Sequence, residues 1–261
     1  MKAQKQKFGP MPVLALTIVG SIGGFILRKL MLAHGYDELG VQITGSLPYV
    51  GLWILTFLVL GGLGFFCYGM GTRSSAEENL KPSVMACIGG VVSGLLLSAV
   101  NLIAILDHPS TLEAVACYLG LISGIVIAYG GFLRLKGKHY GPLGMIIPVY
   151  LAVWVVTHFT IWSTDPLLGD YCFQLLACIF SMLASMHLAG FPIGRGSRRL
   201  SLFYALGAVY FCSISLAQKD EFLFYLAMLL WFFTGLCDLH KPVRRRKLGG
   251  GFTGGEEQTN D

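Results

Sequence analysis

The chain has 261 residues, of which 54% are hydrophobic and only 13% are charged. A water-soluble domain carries roughly a quarter charged residues, so this composition excludes an ordinary soluble protein. Runs of about 20 apolar residues recur along the chain, which is typical of membrane-spanning helices. The net charge of +5 is modest, and no nucleic-acid partner is expected.

The apolar runs predict an all-α, polytopic membrane helix bundle with eight transmembrane helices. Helices are expected because a backbone in lipid must satisfy its own hydrogen bonds. Residues 1–240 would form this one domain, and residues 241–261 a disordered, glycine-rich tail. The predicted spans cover residues 11–33, 46–70, 83–106, 112–134, 141–162, 168–190, 199–217 and 222–240.

The distribution of lysine and arginine predicts the orientation. Placing the N-terminus in the cytoplasm puts 16 of the 19 basic residues inside and leaves Arg28, Lys29 and Lys219 outside. The outer side then carries three basic against eight acidic residues, a net of −5. The positive-inside rule therefore predicts an integral plasma-membrane protein with both termini in the cytoplasm. The bilayer is the expected partner, with anionic headgroups bound by the basic start of the tail, at Arg244, Arg245, Arg246 and Lys247.

Several local patterns predict how the helices begin, pack and bend. Pairs of glycines four residues apart, which allow close helix approach in lipid, occur in the first, third and fourth spans, at 20/24, 90/94 and 120/124. Ser75 and Glu78 form a capping-box pattern that would start the third span. Pro148 is expected to kink the fifth span. Arg28, at the outer end of the first span, is expected to extend towards lipid headgroups.

The strongest candidate site is a polar layer in the outer half of the bundle. Trp154, His158 and Trp162 are four residues apart and share one helix face. Asn101, His158 and Gln174 lie at a similar depth, and Asp170 would stand at the outer mouth. Polar groups at that depth are expected to face the bundle interior or a water-filled cavity. They form either a ligand pocket or interhelical hydrogen bonds that only hold the spans together.

Other chemistries receive little support. The seven cysteines include no C-x2-C pair, so they are interpreted as small buried apolar residues. The histidines and aspartates of the outer side match no metal-ligand spacing, and no cofactor is expected. Residues 190–199 resemble a phosphate-binding loop but lack its Lys-Ser/Thr ending and follow a membrane helix. Since no catalytic signature is present either, the sequence favours a protein that is not an enzyme.

Three segments resemble recurring patterns in a family of uncharacterised multi-pass bacterial membrane proteins. They read LRKLMLA from residue 27, DYCFQLLA from residue 170 and HLAGFPIGR from residue 187. The resemblance covers most of the chain. It implies eight spans and a bacterial inner membrane, and it brings no known activity or site residues.

Three functions are left open by the sequence. The first is a carrier of a small solute or ion, motivated by the expected kink at Pro148 and by the polar layer beneath an acidic outer face. The second is a non-catalytic sensor or assembly component whose polar groups serve packing. The third, an intramembrane enzyme, has the least support because no nucleophile or metal set is recognisable. A water-filled cavity that reaches the polar layer would distinguish the first from the second.

Overall fold

The computed structural model describes residues 11–35, 45–68, 82–107, 110–138, 141–163, 171–219 and 221–239. These residues form eight long α-helices and no strand. The helices are α1 (Met11–His34), α2 (Leu47–Tyr68), α3 (Val84–Leu106), α4 (Thr111–Leu135), α5 (Ile146–Trp162), α6 (Cys172–Gly190), α7 (Arg198–Ser215) and α8 (Phe222–Leu239), with a 3-10 turn at Gly141–Met145 before α5. The predicted spans coincide with them to within a few residues. The tail lies outside the described residues.

The helices have the character of membrane segments. Six of the described helices, α1 to α6, are long and apolar enough to cross a bilayer, with α5 counted together with its preceding 3-10 turn. In α8 the apolar part is shorter, at Phe222–Leu236. The chain is therefore a multi-pass, membrane-embedded helical protein.

The packing of the helices forms a ring. Consecutive contacts run from α3 to α4, α5, α6, α7 and α8, and α8 packs back against α3. Helices α1 and α2 pack against each other and against α7, outside this ring. Helices α5 and α8 face each other across this ring, where Trp154 of α5 contacts Phe224 of α8.

Helix α7 is the central helix of the bundle. It has 13 buried residues among its 18, and it contacts α1, α2, α6 and α8. Its Tyr210 hydroxyl hydrogen-bonds Thr56 of α2 at 2.9 Å. Neighbouring helices thus cover α7, which explains how it can be less apolar than a helix that faces lipid.

The predicted glycine faces are helix contacts. A Cβ at Gly24 would lie 2.8 Å from Ile214 of α7. A Cβ at Gly90 would lie 2.9 Å from the Cα of Gly131, and one at Gly94 would meet the backbone carbonyl of Gly124. Helices α3 and α4 therefore approach backbone to backbone along this face, as glycine pairs permit.

Two local expectations are wrong. Pro148 lies in the first turn of α5, directly after the 3-10 turn, and not within a continuous helix. A proline is tolerated in a first turn because its missing N–H would have no helical partner there. Ser83, whose hydroxyl accepts a hydrogen bond from the N–H of Ala86, begins α3. The Ser75–Glu78 pattern lies outside the described residues.

Arg28 also departs from expectation. Its side chain is only 1% exposed, so it points into the bundle and not towards lipid headgroups. Its guanidinium donates a hydrogen bond to Gln218 Oε1 at 3.1 Å and lies 5.6 Å from the ring centroid of Phe173. Lys29 beside it is exposed. Arg28 thus ties α1 to the turn between α7 and α8.

Candidate functional site

A cavity of about 400 Å³ lies at the end of the bundle that carries Asp107, Glu113 and Glu221, called the acidic end below. Its walls come from the end of α3, the start of α4, α5, and the start of α8. The polar lining residues are Asn101, Asp107, Glu113, Cys117, Tyr150, Thr157, His158 and Glu221, and the apolar ones are Val100, Ala104, Ala116, Trp154 and Phe224. Three consecutive helices, α3 to α5, and the start of α8 far along the chain thus enclose a cavity with polar and ionisable side chains in its lining.

An aromatic stack forms one wall of the cavity. The rings of Trp154 and His158 are stacked, with centroids 3.7 Å apart, and Trp162 meets His158 edge-on at 5.3 Å. This confirms that the three residues share one face of α5. Phe224 of α8 stacks on Trp154 at 4.8 Å. Because Trp154 lies between two rings, neither of its faces is free to bind a cation.

His158 and Glu221 form the central polar contact. Nε2 of His158 lies 2.7 Å from Oε1 of Glu221. Nδ1 lies 3.0 Å from the carbonyl oxygen of Trp154, which can only accept a hydrogen bond, so Nδ1 carries a proton. A 2.7 Å contact between Nε2 and a carboxylate oxygen needs a second proton between them. These two contacts fit an imidazolium beside a carboxylate, or an equivalent shared proton.

The backbone at Glu221 is unusual. Glu221 has a φ of 55°, and no other non-glycine residue among the described ones has a positive φ. Its carbonyl accepts hydrogen bonds from the N–H groups of Phe224 and Tyr225, so it begins α8. The left-handed region costs an ordinary residue roughly 1–2 kcal/mol. The local fold thus holds the carboxylate towards His158 at an energetic cost.

Asn101 lies deeper, at the contact between α3, α4 and α5. It is 5% exposed, its amide donates to the carbonyl of Leu97 at 2.8 Å, and Tyr150 lies 3.4 Å from the same amide nitrogen. The carboxamide occupies the space that a side chain at position 120 would fill, and Gly120 leaves it free. One glycine of the predicted packing motif therefore makes room for a polar residue of the cavity.

The remaining carboxylates make the lining acidic. Glu113 accepts a hydrogen bond from the N–H of Ser110 at 2.8 Å, which also fixes the start of α4. Asp107 is exposed at the end of α3. The described lining has three carboxylates and one histidine but no lysine or arginine. Its excess of negative charge favours a positively charged ligand.

The predicted polar layer is divided. Asn101 and His158 line the same cavity, whereas Gln174 does not belong to its lining. Gln174 is 1% exposed, and its amide atoms have no hydrogen-bond partner among the described residues. Asp170, the predicted outer mouth, lies outside the described residues. Whether the four residues act as one site stays a prediction.

Six polar lining residues were not predicted as part of the site: Asp107, Glu113, Cys117, Tyr150, Thr157 and Glu221. Ser110 and Glu113 have the same capping-box spacing that was noted at Ser75 and Glu78. The sequence does not distinguish Tyr150 as a site residue, because a single tyrosine is common within an apolar helix. In the sequence Glu221 is one of eight outer acidic residues, and its place at the start of the last span is the feature that could have indicated it.

The described acidic and histidine side chains do not converge as the ligands of a metal ion would. Across the described ranges, no three histidine, cysteine or carboxylate side chains come close enough together to hold one metal ion. The described cysteines are free thiols: Cys67, Cys87, Cys117, Cys172, Cys178 and Cys212. The charges of the cavity are therefore spread along its walls.

Comparisons with protein-family models, with curated proteins and with solved structures found no match to this chain. The resemblance to bacterial multi-pass membrane proteins therefore stays a prediction, and function is argued from the geometry of the cavity.

Proposed function

We propose that this membrane protein binds a small solute or ion in the cavity at the acidic end, and that it carries this ligand into or across the bilayer. The observation that carries the proposal is the cavity itself, of about 400 Å³, with ionisable side chains in a largely apolar lining. Small-molecule sites commonly have volumes of roughly 300–1,000 Å³. Ionisable groups inside a membrane bundle are costly and usually mark ligand or ion pathways.

In the proposed topology the chain crosses the plasma membrane eight times, and both termini lie in the cytoplasm. Arg134, at the end of α4, and Arg199, at the start of α7, lie at the end opposite to Glu113 and Glu221. This separation of charge supports an outward-facing acidic end by the positive-inside rule. In single-cysteine variants, position 107 should react with an impermeant maleimide from outside, and position 136 only after permeabilisation. Labelling of position 136 in intact cells would overturn the orientation.

A second candidate is a non-catalytic sensor or assembly component. The observation in its favour is that the polar groups have partners inside the protein: Asn101 bonds Leu97 and Tyr150, and His158 bonds Trp154 and Glu221. Such a network could serve packing alone. The two proposals differ in whether the cavity takes up a ligand.

Filling the cavity tests this difference. Ala104 lines the cavity, whereas Ala99 of the same helix is exposed on the outer surface of the bundle. Ala104→Phe should occupy the space without removing a polar group, and Ala99→Phe is its matched control. Purified protein would be screened by thermal shift against metabolites and cations, since a ligand of the folded state raises its stability by about 2.7 kcal/mol at 100 times its Kd.

We expect at least one compound to stabilise the wild type and Ala99→Phe but not Ala104→Phe. If every stabilising compound acts equally on all three proteins, the cavity is not the binding site. If no compound acts on the wild type, the packing role is favoured instead.

A further inference from the structure

The chemistry of the cavity indicates the charge of its ligand. Its lining contains three carboxylates, Asp107 from α3, Glu113 from α4 and Glu221 from the start of α8, and no lysine or arginine among the described lining residues. The charge on Glu221 is balanced by His158 at 2.7 Å. A cation that enters can thus replace His158 at Glu221, whereas an anion would be repelled by the three carboxylates of the lining.

The arrangement of the lining also indicates the size of the ligand. The carboxylates line one space of about 400 Å³ without converging on one point, and the described residues form no metal-ligand group. The same lining contains the apolar side chains of Val100, Ala104 and Ala116. A molecule with a cationic head and a short carbon chain satisfies both features, because its chain would lie against these apolar side chains.

An entering cation displaces the proton that His158 and Glu221 share. In the protonated form of the pair, Nδ1 of His158 donates to the carbonyl of Trp154, and Nε2 and Glu221 Oε1, 2.7 Å apart, share a second proton. When a ligand cation takes the place of the imidazolium at Glu221, the imidazolium loses the carboxylate that stabilised it. Its second proton is then released, and the imidazole keeps its hydrogen bond to Trp154.

We propose that the cavity binds a small organic cation, a primary ammonium compound, at Glu221 in exchange for the proton held between His158 and Glu221. This rests on the proposed function and names its ligand class. Charge is conserved: the ammonium group enters with one positive charge, and one proton leaves for the solvent. No covalent bond other than N–H is broken.

The exchange predicts the pH dependence of binding. Because one proton leaves for each cation bound, raising the pH tightens binding, by up to about tenfold per pH unit. The other titratable groups near the pair among the described residues are Asp107 from α3, Glu113 and Cys117 from α4, Tyr150 from α5, Cys178 from α6 and Tyr225 from α8. The two carboxylates add negative charge near the incoming cation and assist its entry.

Three probes of equal length test the charge requirement. They are 5-aminopentan-1-ol, a cation at neutral pH, the uncharged pentane-1,5-diol, and the anion 5-hydroxypentanoate. Thermal shift of purified full-length protein measures binding, and a pH indicator in weak buffer measures proton release. Only the amino alcohol should stabilise the protein, with about one proton released for each molecule bound.

Variants of the pair separate binding from exchange. Glu221→Gln keeps the shape but removes the charge, so the amino alcohol should bind roughly tenfold more weakly or worse. His158→Gln has no proton to lose, so binding should persist without proton release and with little dependence on pH. His187→Gln is the matched control, because His187 lies on α6, stacks on Tyr204 and is not part of the cavity.

The outcomes distinguish this inference from the proposed function. Stabilisation by the diol or the hydroxy acid and not by the amino alcohol would overturn the ligand class and leave a binding cavity. Binding of the amino alcohol without proton release by the wild type would overturn the exchange. If no probe binds, and the wider screen finds no compound whose effect depends on Ala104, both proposals fail.

Discussion

Gly120→Ala tests whether Asn101 is held in the cavity wall by space left at a glycine. A Cβ at position 120 would collide with all three outer atoms of the Asn101 carboxamide. The carboxamide would have to move, and its contacts with the carbonyl of Leu97 and with Tyr150 would be lost. We therefore expect a marked loss of stability from a single added methyl group.

The expected change in the free energy of unfolding is the sum of three contributions. Two hydrogen bonds within a membrane bundle contribute about 1–2 kcal/mol together. Forcing a methyl group into a filled space costs about 1–3 kcal/mol. Replacing a helical glycine with alanine by itself stabilises the folded protein by about 1 kcal/mol. The expected net loss is thus about 1–4 kcal/mol, unlike the gain usually seen for this substitution.

The assay is a double-mutant cycle with Asn101→Ala, measured by reversible unfolding in mixed micelles and followed by tryptophan fluorescence. Without the carboxamide, the new methyl group enters empty space, so Gly120→Ala should cost nothing or stabilise by up to about 1 kcal/mol. The coupling, which is the difference between the two backgrounds, should therefore be about 1–5 kcal/mol. An equal cost of Gly120→Ala in both backgrounds would refute the steric account of Asn101.

Other substitutions test the packing and the charged contacts. Gly94→Ala should destabilise the α3–α4 contact by about 1–3 kcal/mol, whereas Gly61→Ala, with nothing within 4 Å of its Cβ, should stabilise by up to about 1 kcal/mol; equal effects in unfolding assays would contradict the close approach. Arg28→Gln should cost about 1.5–3 kcal/mol because a buried charged donor is lost, and the exposed Lys29→Gln less than about 0.5 kcal/mol; similar melting temperatures would show that Arg28 contributes no more than its exposed neighbour. Glu221→Gly and Glu221→Ala both lose the carboxylate, but glycine should be the more stable by about 1 kcal/mol because φ is 55°; an alanine variant that melts as high would argue against the strained backbone.

The sequence alone was sufficient to locate the helices. Runs of apolar residues set their positions, because the length of a membrane segment is a local property of about 20 residues. It also placed Trp154 and His158 on one face, since helical periodicity fixes which residues of a single helix are neighbours. The stacked rings at 3.7 Å confirm this spacing.

The sequence did not show which residues of other helices contact these helix faces. Asn101, His158 and Gln174 lie at similar depths, but depth does not say which way a helix is rotated. Gln174 turned out to lie outside the cavity lining. Arg28 was expected at the lipid headgroups but found its partner in Gln218, on a turn far along the chain.

Only the tertiary structure decided that α8 returns to α3 and closes the ring of helices. This closure places Glu221 at 2.7 Å from His158 and Phe224 over Trp154. The physical reason is that apolarity drives each helix into the membrane independently, whereas helix neighbours are selected by the fit of small residues and polar pairs across the whole bundle. The sequence thus determined that this protein lies in a membrane, and the packing of its helices created the cavity.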